Sequence, residues 1–203
     1  MLKKYNIPYA KHAISDSFDR LFAFASKNFP VVLKPATEEI VHKTEQNMVI
    51  TGISTKAGLK KAFSHLKKRI ESLNLKPMFI VQEQLSGYEL IVGMKKDPQF
   101  GHVVMFGLGG IYAEVMKDVS FRITPLTGKD AAEMVKEIRS YKILEGIRNT
   151  EKANIKKIQG IITSLSRLSR DYPGIIELDF NPVIANSKTA KVVDVRIFAE
   201  DKR

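Results

Sequence analysis

A cluster of oxygen-bearing side chains near the end of the chain has the chemistry of a metal site. The segment 177–182, Glu-Leu-Asp-Phe-Asn-Pro, contributes Asp179 and Asn181, and Asp194 follows in the next β-type run. Neighbouring strands would aim these side chains at one point. Such oxygen ligands suit Mg²⁺ bridging nucleotide phosphates, because Mg²⁺ keeps several waters and takes only one or two protein carboxylates. A turn with Asp-x-Asn-Pro chemistry beside a solvated strand is the alternative.

Lys34 is a candidate for binding an anion, because it ends the apolar strand-type run 30–34. A charge at that position must reach water or an anion to avoid a desolvation cost of several kcal/mol. A nucleotide phosphate is one such partner. A lysine whose ammonium group simply leaves the sheet for water is the other interpretation.

His42 lies in the polar segment Val41-His42-Lys43-Thr44. The adjacent charge of Lys43 favours a neutral imidazole. A neutral imidazole can accept a phosphoryl group and carry it covalently. An ordinary loop histidine without a chemical role fits the same pattern.

The segment 106–111, Phe-Gly-Leu-Gly-Gly-Ile, lies between two predicted strands. It is therefore not a dinucleotide-binding fingerprint, which requires a helix after the glycines. It is either a loop of backbone donors for phosphate or a glycine-built hairpin turn. Arg122, just beyond it, has the fork geometry to bind a phosphate, or it pairs with a local acid.

A strand that leaves the first lobe, 81–85, carries Gln82 and Glu83 and ends at Leu85. A strand in that position is a common place for an adenine, with amide and carbonyl groups reading the base edge. Glu89 is expected nearby on the following strand. A half-buried pair of strands is the structural alternative.

Composition excludes several classes of protein. The chain has no cysteine, so disulfides and thiolate metal sites are absent. No apolar run reaches the ~18 residues of a membrane span, so we expect a cytoplasmic protein without a membrane partner. The net charge of +11 is compatible with nucleic-acid binding. Much of it lies on amphipathic helices, where a solvated face explains it, so we expect no nucleic-acid partner.

The elements that must position these residues form an α+β pattern. Apolar residues at helical spacing between 59 and 73 predict an amphipathic helix that starts at Thr55. A strand-rich region follows, with its last strand predicted over 112–119. Two helices are predicted next, 129–140 and 151–171, and then three closing strands, 175–180, 183–185 and 191–198. The pattern predicts two lobes, 1–76 and 77–203, the second mostly an antiparallel sheet flanked by helices.

Several short motifs, each weak alone, occur in one order along nearly the whole chain. Together they closely resemble the β subunit of the archaeal ADP-forming acetyl-CoA (acyl-CoA) synthetases. In chain order the motifs are Lys34-Pro35-Ala36-Thr37, His42-Lys43-Thr44, Asp97-Pro98-Gln99-Phe100-Gly101, Phe106-Gly107-Leu108-Gly109-Gly110-Ile111, Lys117-Asp118-Val119-Ser120-Phe121-Arg122, Ile143-Leu144-Glu145-Gly146 and Glu177-Leu178-Asp179-Phe180-Asn181-Pro182.

The resemblance implies an ATP-grasp fold and the reaction acyl-CoA + ADP + phosphate ⇌ acid + ATP + CoA, with ATP/ADP and Mg²⁺ as ligands. It implies that His42 relays the phosphoryl group to ADP. Phosphoryl transfer of this kind depends on positioning and charge neutralisation. The implied metal ligands are Asn181 and Asp194, with Asp179 nearby. The implied nucleotide-binding residues are Lys34, Lys43, Gln82, Glu83, Leu85, Glu89 and Arg122.

The resemblance also implies a partner. In that family the CoA site and a first phosphorylated histidine lie on an α subunit, and an α2β2 heterotetramer is implied. The family's β chain usually begins with one more helix, so this chain is expected to be shortened at its N-terminus. The alternative function is a non-catalytic ATP-grasp module that regulates an acyl-CoA synthetase-like protein acetyltransferase.

Overall fold

A computed structural model describes residues 1–37, 48–110, 117–147 and 150–200 of the chain. The chain forms two compact units. The small unit is Ala10–Leu85, and the large unit joins Met1–Tyr9 to Ser86–Arg203. Among the described residues, no helix has both the length and the apolar character needed to span a membrane.

The small unit packs two helices on a four-stranded antiparallel sheet with strand order β1-β4-β2-β3. Thr55 begins the second helix by accepting a hydrogen bond from the Gly58 N–H. Alternate strand residues such as Leu33 and Val81 are fully buried in one core with Leu59 of that helix. The elements are β1 (His12–Ser15), α1 (Phe18–Ala25), β2 (Val31–Pro35), β3 (Ile50–Ile53), α2 (Lys56–Ser72) and β4 (Phe79–Glu83).

The large unit contains an antiparallel sheet with strand order β10-β8-β5-β6-β7, and β9 pairs with β8. Thr127 and Asp130 form a reciprocal capping box at the start of α3. The elements are a 3-10 helix (Leu2–Tyr5), β5 (Tyr88–Asp97), β6 (Gly101–Leu108), β7 (Val119–Ile123), α3 (Gly128–Glu137), α4 (Tyr141–Leu144), α5 (Ile155–Asp171), β8 (Ile175–Ala185), β9 (Ala190–Val192) and β10 (Val195–Ala199).

The large sheet has two chemically different faces. Val92, Phe106 and Phe180 on one face are fully buried in a core with Met134 of α3 and Ile162 of α5. Because side chains alternate along a strand, their neighbours lie on the opposite face. We call that opposite face the open face. The strand register places two full rows across it, from β10 to β7: Arg196–Asp179–Gly93–Met105–Phe121 and Phe198–Glu177–Lys95–Val103–Ile123. In the adjacent row Asp194 lies against Asn181, and Ile91, Gly107 and Val119 are in register beyond the point where the pairing of β5 with β8 shifts.

The division of the chain differs from the predicted lobes 1–76 and 77–203. β4 follows residue 76 in sequence but is the second strand of the small sheet, where it pairs with both β1 and β2. The first nine residues belong to the large unit: the Tyr5 hydroxyl donates to Asp171 at 2.6 Å, and the Val192 N–H donates to the Pro8 carbonyl at 2.9 Å. Local patterns could not show either long-range pairing.

Several predicted elements have different bounds. The residues 175–180 and 183–185, predicted as two strands, form the single strand β8, whereas the run 191–198 is divided between β9 and β10. The helix predicted from Glu151 begins at Ile155, after Asn154 accepts a hydrogen bond from the Lys157 N–H. Of the strand predicted over 112–119, residues 112–116 lie outside the described residues.

We expect Gly87→Ala to destabilise the large unit by about 3 kcal/mol, because it adds steric overlap to backbone strain. Gly87 has φ of 150°, and a Cβ placed there would lie 2.2 Å from the carbonyl oxygen of Ala185. Urea denaturation measures the loss. Gly160→Ala is the matched control: it lies inside α5 with nothing within 4 Å of the added carbon, and it should stabilise by up to about 1 kcal/mol. Equal stability of the two variants would contradict the prediction.

Candidate functional site

The predicted metal ligands Asn181 and Asp194 lie beside each other, Asn181 on β8 and Asp194 between β9 and β10. The Asn181 N–H donates to the main-chain carbonyl of Asp194 at 3.3 Å, and the Val193 N–H donates to the Pro182 carbonyl at 3.0 Å. The Asp194 carboxylate accepts a hydrogen bond from the Val195 N–H at 3.0 Å. Two residues thirteen positions apart in sequence therefore lie side by side just before the start of β10.

Asp179, the third predicted metal residue, lies next to this pair on the open face. It is two residues before Asn181 on β8, and it is paired in register with Arg196 on β10 and Gly93 on β5. Burial raises the pKa of Asp179; Arg196 opposes the rise, and the carboxylates of Glu177 and Asp194 add to it. The residue therefore lies in a site where acidic groups influence one another.

The chemistry of this donor set fits Mg²⁺. Two carboxylates and an amide oxygen from Asp179, Asp194 and Asn181 are hard ligands, and Mg²⁺ takes few protein carboxylates and fills its remaining positions with water or phosphate oxygens. In the described ranges, no group of three or more His, Cys, Asp and Glu side chains is arranged to hold a metal. These residues thus suit an incomplete shell of the Mg²⁺ type rather than a closed structural site.

In the small unit, Lys34 and Gln82 lie on one face of the sheet. Lys34 pairs with Ile80 and Gln82 pairs with Val32 in the β2–β4 register, so the two polar side chains are diagonal neighbours. Each has a relative exposure of 5%. The opposite face carries Leu33 and Val81, which pack in the core. The small sheet therefore has one apolar face in the core and one face on which these two polar side chains are buried.

Glu83 is the last residue of β4, and Leu85 is the last residue of the small unit. The Glu83 carboxylate accepts a hydrogen bond from the Lys11 N–H at 2.7 Å, and Leu85 is partly buried. Sequence reasoning missed Gln84 between them, whose amide oxygen accepts from the Gly52 N–H at 2.6 Å. This hydrogen bond joins β3 to the residue that follows β4. The polar side chain of Gln84 was the only sign of this contact in the sequence.

Glu89 lies against the glycine-rich segment. The Gly109 N–H donates to the Glu89 carbonyl at 2.7 Å. A Cβ on Gly109 would lie 3.2 Å from the Glu89 carbonyl carbon, and one on Gly110 would lie 3.2 Å from the Glu89 carboxylate. Gly110 has φ of 64°, which glycine adopts easily. Close approach to β5 therefore accounts for these glycines; residues 111–116 lie outside the described residues.

Arg122 is placed away from the predicted metal ligands. It pairs in register with Val104, so it lies on the helix-covered face of the large sheet. Its guanidinium forms an ion pair with Glu137 of α3 at 2.6 Å. Pairing with a local acid, the second of the two sequence interpretations, is therefore the arrangement found. The predicted relay residue His42 and its neighbour Lys43 lie outside the described residues.

Asp118 is a structural residue that sequence reasoning did not single out. Its carboxylate accepts hydrogen bonds from the Arg139 N–H at 2.8 Å, the Ser140 N–H at 2.7 Å and the Ser140 hydroxyl. Burial alone would raise the pKa of Asp118, but these hydrogen bonds outweigh it and hold the pKa below its usual range. The residue ties the start of β7 to the end of α3.

Asp118→Asn should therefore lower the free energy of unfolding by about 1–2 kcal/mol at neutral pH. Because the folded pKa is depressed, this stabilisation is complete above the unfolded aspartate pKa of about 3.9 and is lost as the pH falls through the folded pKa. The difference between wild type and variant should shrink in acid. Denaturation at several pH values measures it, with the exposed Asp16→Asn as control; a pH-independent difference would refute this role of the Asp118 charge.

Comparison with known proteins places the chain in a family. Residues 1–198 match the ATP-grasp domain family. The chain is 37% identical to the beta subunit of acetate–CoA ligase (ADP-forming) I of Pyrococcus furiosus, over 97% of this chain and 87% of that subunit. It is 40% identical to acetate–CoA ligase (ADP-forming) I of Archaeoglobus fulgidus, over 97% of this chain but only 29% of that protein.

Solved structures of a Candidatus Korarchaeum cryptofilum acetyl-coenzyme A synthetase have the same fold. One, in complex with coenzyme A, Ca-AMPCP and HgCl⁺, matches with a TM-score of 0.92 and 35% identity, over 98% of this chain and 89% of that chain. Another, in complex with coenzyme A and Mg-AMPPCP, has a phosphohistidine segment pointing towards the nucleotide-binding site; it matches at 0.85 and 37% identity, over 98% and 88%. The chain belongs to the ATP-grasp family, among the β subunits of the ADP-forming acetate–CoA ligases.

Proposed function

We propose that this chain is the nucleotide-binding β subunit of an ADP-forming acyl-CoA synthetase, an acid–thiol ligase catalysing acyl-CoA + ADP + phosphate ⇌ acid + ATP + CoA. The family and the 87% coverage of a Pyrococcus beta subunit support this assignment. The chain spans 29% of the length of the Archaeoglobus relative. The remaining steps of the reaction are therefore assigned to a partner.

The observation that carries the proposal is the pairing of Asn181 with Asp194 beside Asp179 on the open face. These residues would hold Mg²⁺. When bound, Mg²⁺ neutralises charge on the nucleotide phosphates and orients them for transfer. The Asp194 carboxylate accepts a hydrogen bond from the Val195 N–H, which directs the side chain. The main-chain carbonyl of Asp194 accepts a hydrogen bond from the Asn181 N–H, which holds the main chain beside β8.

In the small unit, we assign Lys34 to the nucleotide phosphates and Gln82 to the nucleotide beside them. Both side chains are buried on the same face of the small sheet. A buried ammonium group is costly unless an anion or strong acceptors compensate it, and phosphate is such an anion. Glu83, Leu85 and Glu89 remain proposed contacts around the adenine, and Lys43 a proposed phosphate ligand.

His42 is proposed as the phosphoryl relay of this subunit. In the direction of ATP formation, an oxygen of the ADP β-phosphate attacks the phosphorus of phosphohistidine. A phosphorus–oxygen bond forms, the phosphorus–nitrogen bond breaks, and His42 regains its lone pair. The Korarchaeum structure with a phosphohistidine segment pointing towards its nucleotide-binding site supports a relay in this family. Positioning and charge neutralisation supply the rate enhancement in such transfers.

The proposed partner is an α subunit that carries the CoA site and the first phosphorylated histidine, in an α2β2 enzyme of the cytoplasm. The Pyrococcus relative is named as a beta subunit, which supports a partner on a separate chain. The extra length of the Archaeoglobus relative supports the same activities on one longer chain.

The test is reconstitution of the chain with the α chain from the same organism, followed by an assay of ATP formation from acetyl-CoA, ADP and phosphate. We expect ATP only when both chains, Mg²⁺ and all three substrates are present. Copurification without ATP formation from any of several acyl-CoAs would overturn the catalytic assignment. The chain alone should bind Mg·ADP, which calorimetry measures separately from turnover.

A further inference from the structure

Arg196 lies beside the acidic residues of the proposed metal site. It is the residue opposite Asp179 in the antiparallel pairing of β10 with β8, and it follows Asp194 by two positions. Its side chain is exposed. Within the described part of the chain, no acidic group lies within ion-pair distance of its guanidinium. The position of Arg196 is therefore set by the strand register rather than by a close ion pair.

Acidic and basic side chains are unevenly distributed over this part of the open face. Three acids are grouped there, since Glu177 and Asp194 both act on Asp179. Lys95 lies 3.9 Å from Glu177 and compensates that acid. Arg196 stands opposite Asp179, one of the proposed metal ligands, and its charge stabilises that carboxylate. Without the charge of Arg196, the Asp179 carboxylate and the neighbouring ligand oxygens would bind a bare divalent cation more readily.

We propose that Arg196 is a selectivity residue of the metal site, where its charge keeps a bare divalent cation out and favours a metal that arrives on its nucleotide. A bare divalent cation carries two positive charges and is repelled by the guanidinium. The complex of the metal with ADP carries a net negative charge and is attracted to it. This inference rests on the proposed nucleotide–metal role of Asn181 and Asp194.

The register also explains why this role falls to Arg196. Arg196 and Asp179 share one row of the open face, and Asp194 and Asn181 share the adjacent row. An arginine remains charged at any pH at which the protein is folded, so the repulsion is constant. Its side chain is long enough to move from the carboxylates towards phosphate oxygens, which it binds with a planar fork of donors.

The test measures binding of Mn²⁺ to the chain by electron paramagnetic resonance, first alone and then with saturating ADP. Arg196→Met and Arg196→Gln should bind bare Mn²⁺ roughly five- to tenfold more tightly than wild type, and Mn·ADP several-fold more weakly. Arg196→Lys keeps the charge and should resemble wild type in both measurements. The opposite signs distinguish this role from a loss of folding, which would weaken both.

Arg170→Met is the matched control, because it removes the same charge from an exposed arginine on α5. It should change neither binding constant. The inference is overturned if both neutral Arg196 variants bind bare Mn²⁺ as wild type does while wild type binds Mn·ADP. If wild type fails to bind Mn·ADP, the proposed nucleotide–metal site itself fails, and this inference fails with it.

Discussion

Replacing Asp194 by Asn should lower the rate of ATP formation by the reconstituted enzyme by about 10²- to 10³-fold. The substitution removes one negative charge from the proposed metal site and leaves a weaker amide ligand. The fold should survive, because the hydrogen bond from Asn181 goes to the main-chain carbonyl of Asp194. The new amide oxygen can also accept the hydrogen bond that the Val195 N–H now donates to the carboxylate.

Two measurements check this expectation. Calorimetry should show weaker binding of Mg·ADP to Asp194→Asn, and the activity that remains should require more Mg²⁺. Asp97→Asn is the matched control: Asp97 accepts hydrogen bonds from the Gln99 and Phe100 N–H groups through one oxygen, which asparagine retains. Unchanged metal dependence in Asp194→Asn, with normal activity, would remove Asp194 from the site.

Replacing His42 by Ala should abolish transfer of the phosphoryl group through this subunit. If His42 is the relay, ATP labelled with ³²P in its γ-phosphate will label the β chain of the wild-type mixture and leave the variant unlabelled. ATP formation should fall by about 10³-fold or more, because alanine has no nucleophile to carry the group. Binding of Mg·ADP should be nearly unchanged, since a relay acts in transfer rather than in nucleotide affinity.

His65→Ala is the control for this experiment. His65 is an exposed residue of α2, so its loss should alter neither labelling nor ATP formation. Labelling of the β chain that persists in His42→Ala would place the phosphohistidine elsewhere. Loss of both labelling and nucleotide binding would instead indicate a folding defect, which a comparison of unfolding midpoints identifies.

The order of helices and strands in this chain was predictable because it depends on local signals. The helix predicted from Thr55 is α2, with Thr55 as its N-cap, and the apolar positions Leu59, Leu66 and Ile70 are all buried. Helical spacing and capping act within a few residues, so the sequence states them directly. The resemblance to the β subunits of ADP-forming acyl-CoA synthetases, with its ATP-grasp fold, is confirmed by the relatives and by the solved structures.

Boundaries and pairings were less predictable. The lobe boundary expected after residue 76 missed the pairing of β4 with β1 and β2. From the sequence, Arg122 could bind either a phosphate or a local acid. The alternation of side chains along β7 places it on the face where Glu137 lies. Both outcomes depend on residues distant in sequence, and the hydrogen-bond register that joins them has no local signature.

The candidate site likewise has features that depend on residue type and features that depend on long-range pairing. The sequence by itself determined which oxygen donors are available to the proposed metal site, the side chains of Asp179, Asn181 and Asp194, because ligand preference depends on residue type. Only the tertiary structure decided that Asn181 lies against Asp194 and that Arg196 stands opposite Asp179. Strand pairing brings distant residues onto one face, and a shift of one residue would move each side chain to the other face of the sheet.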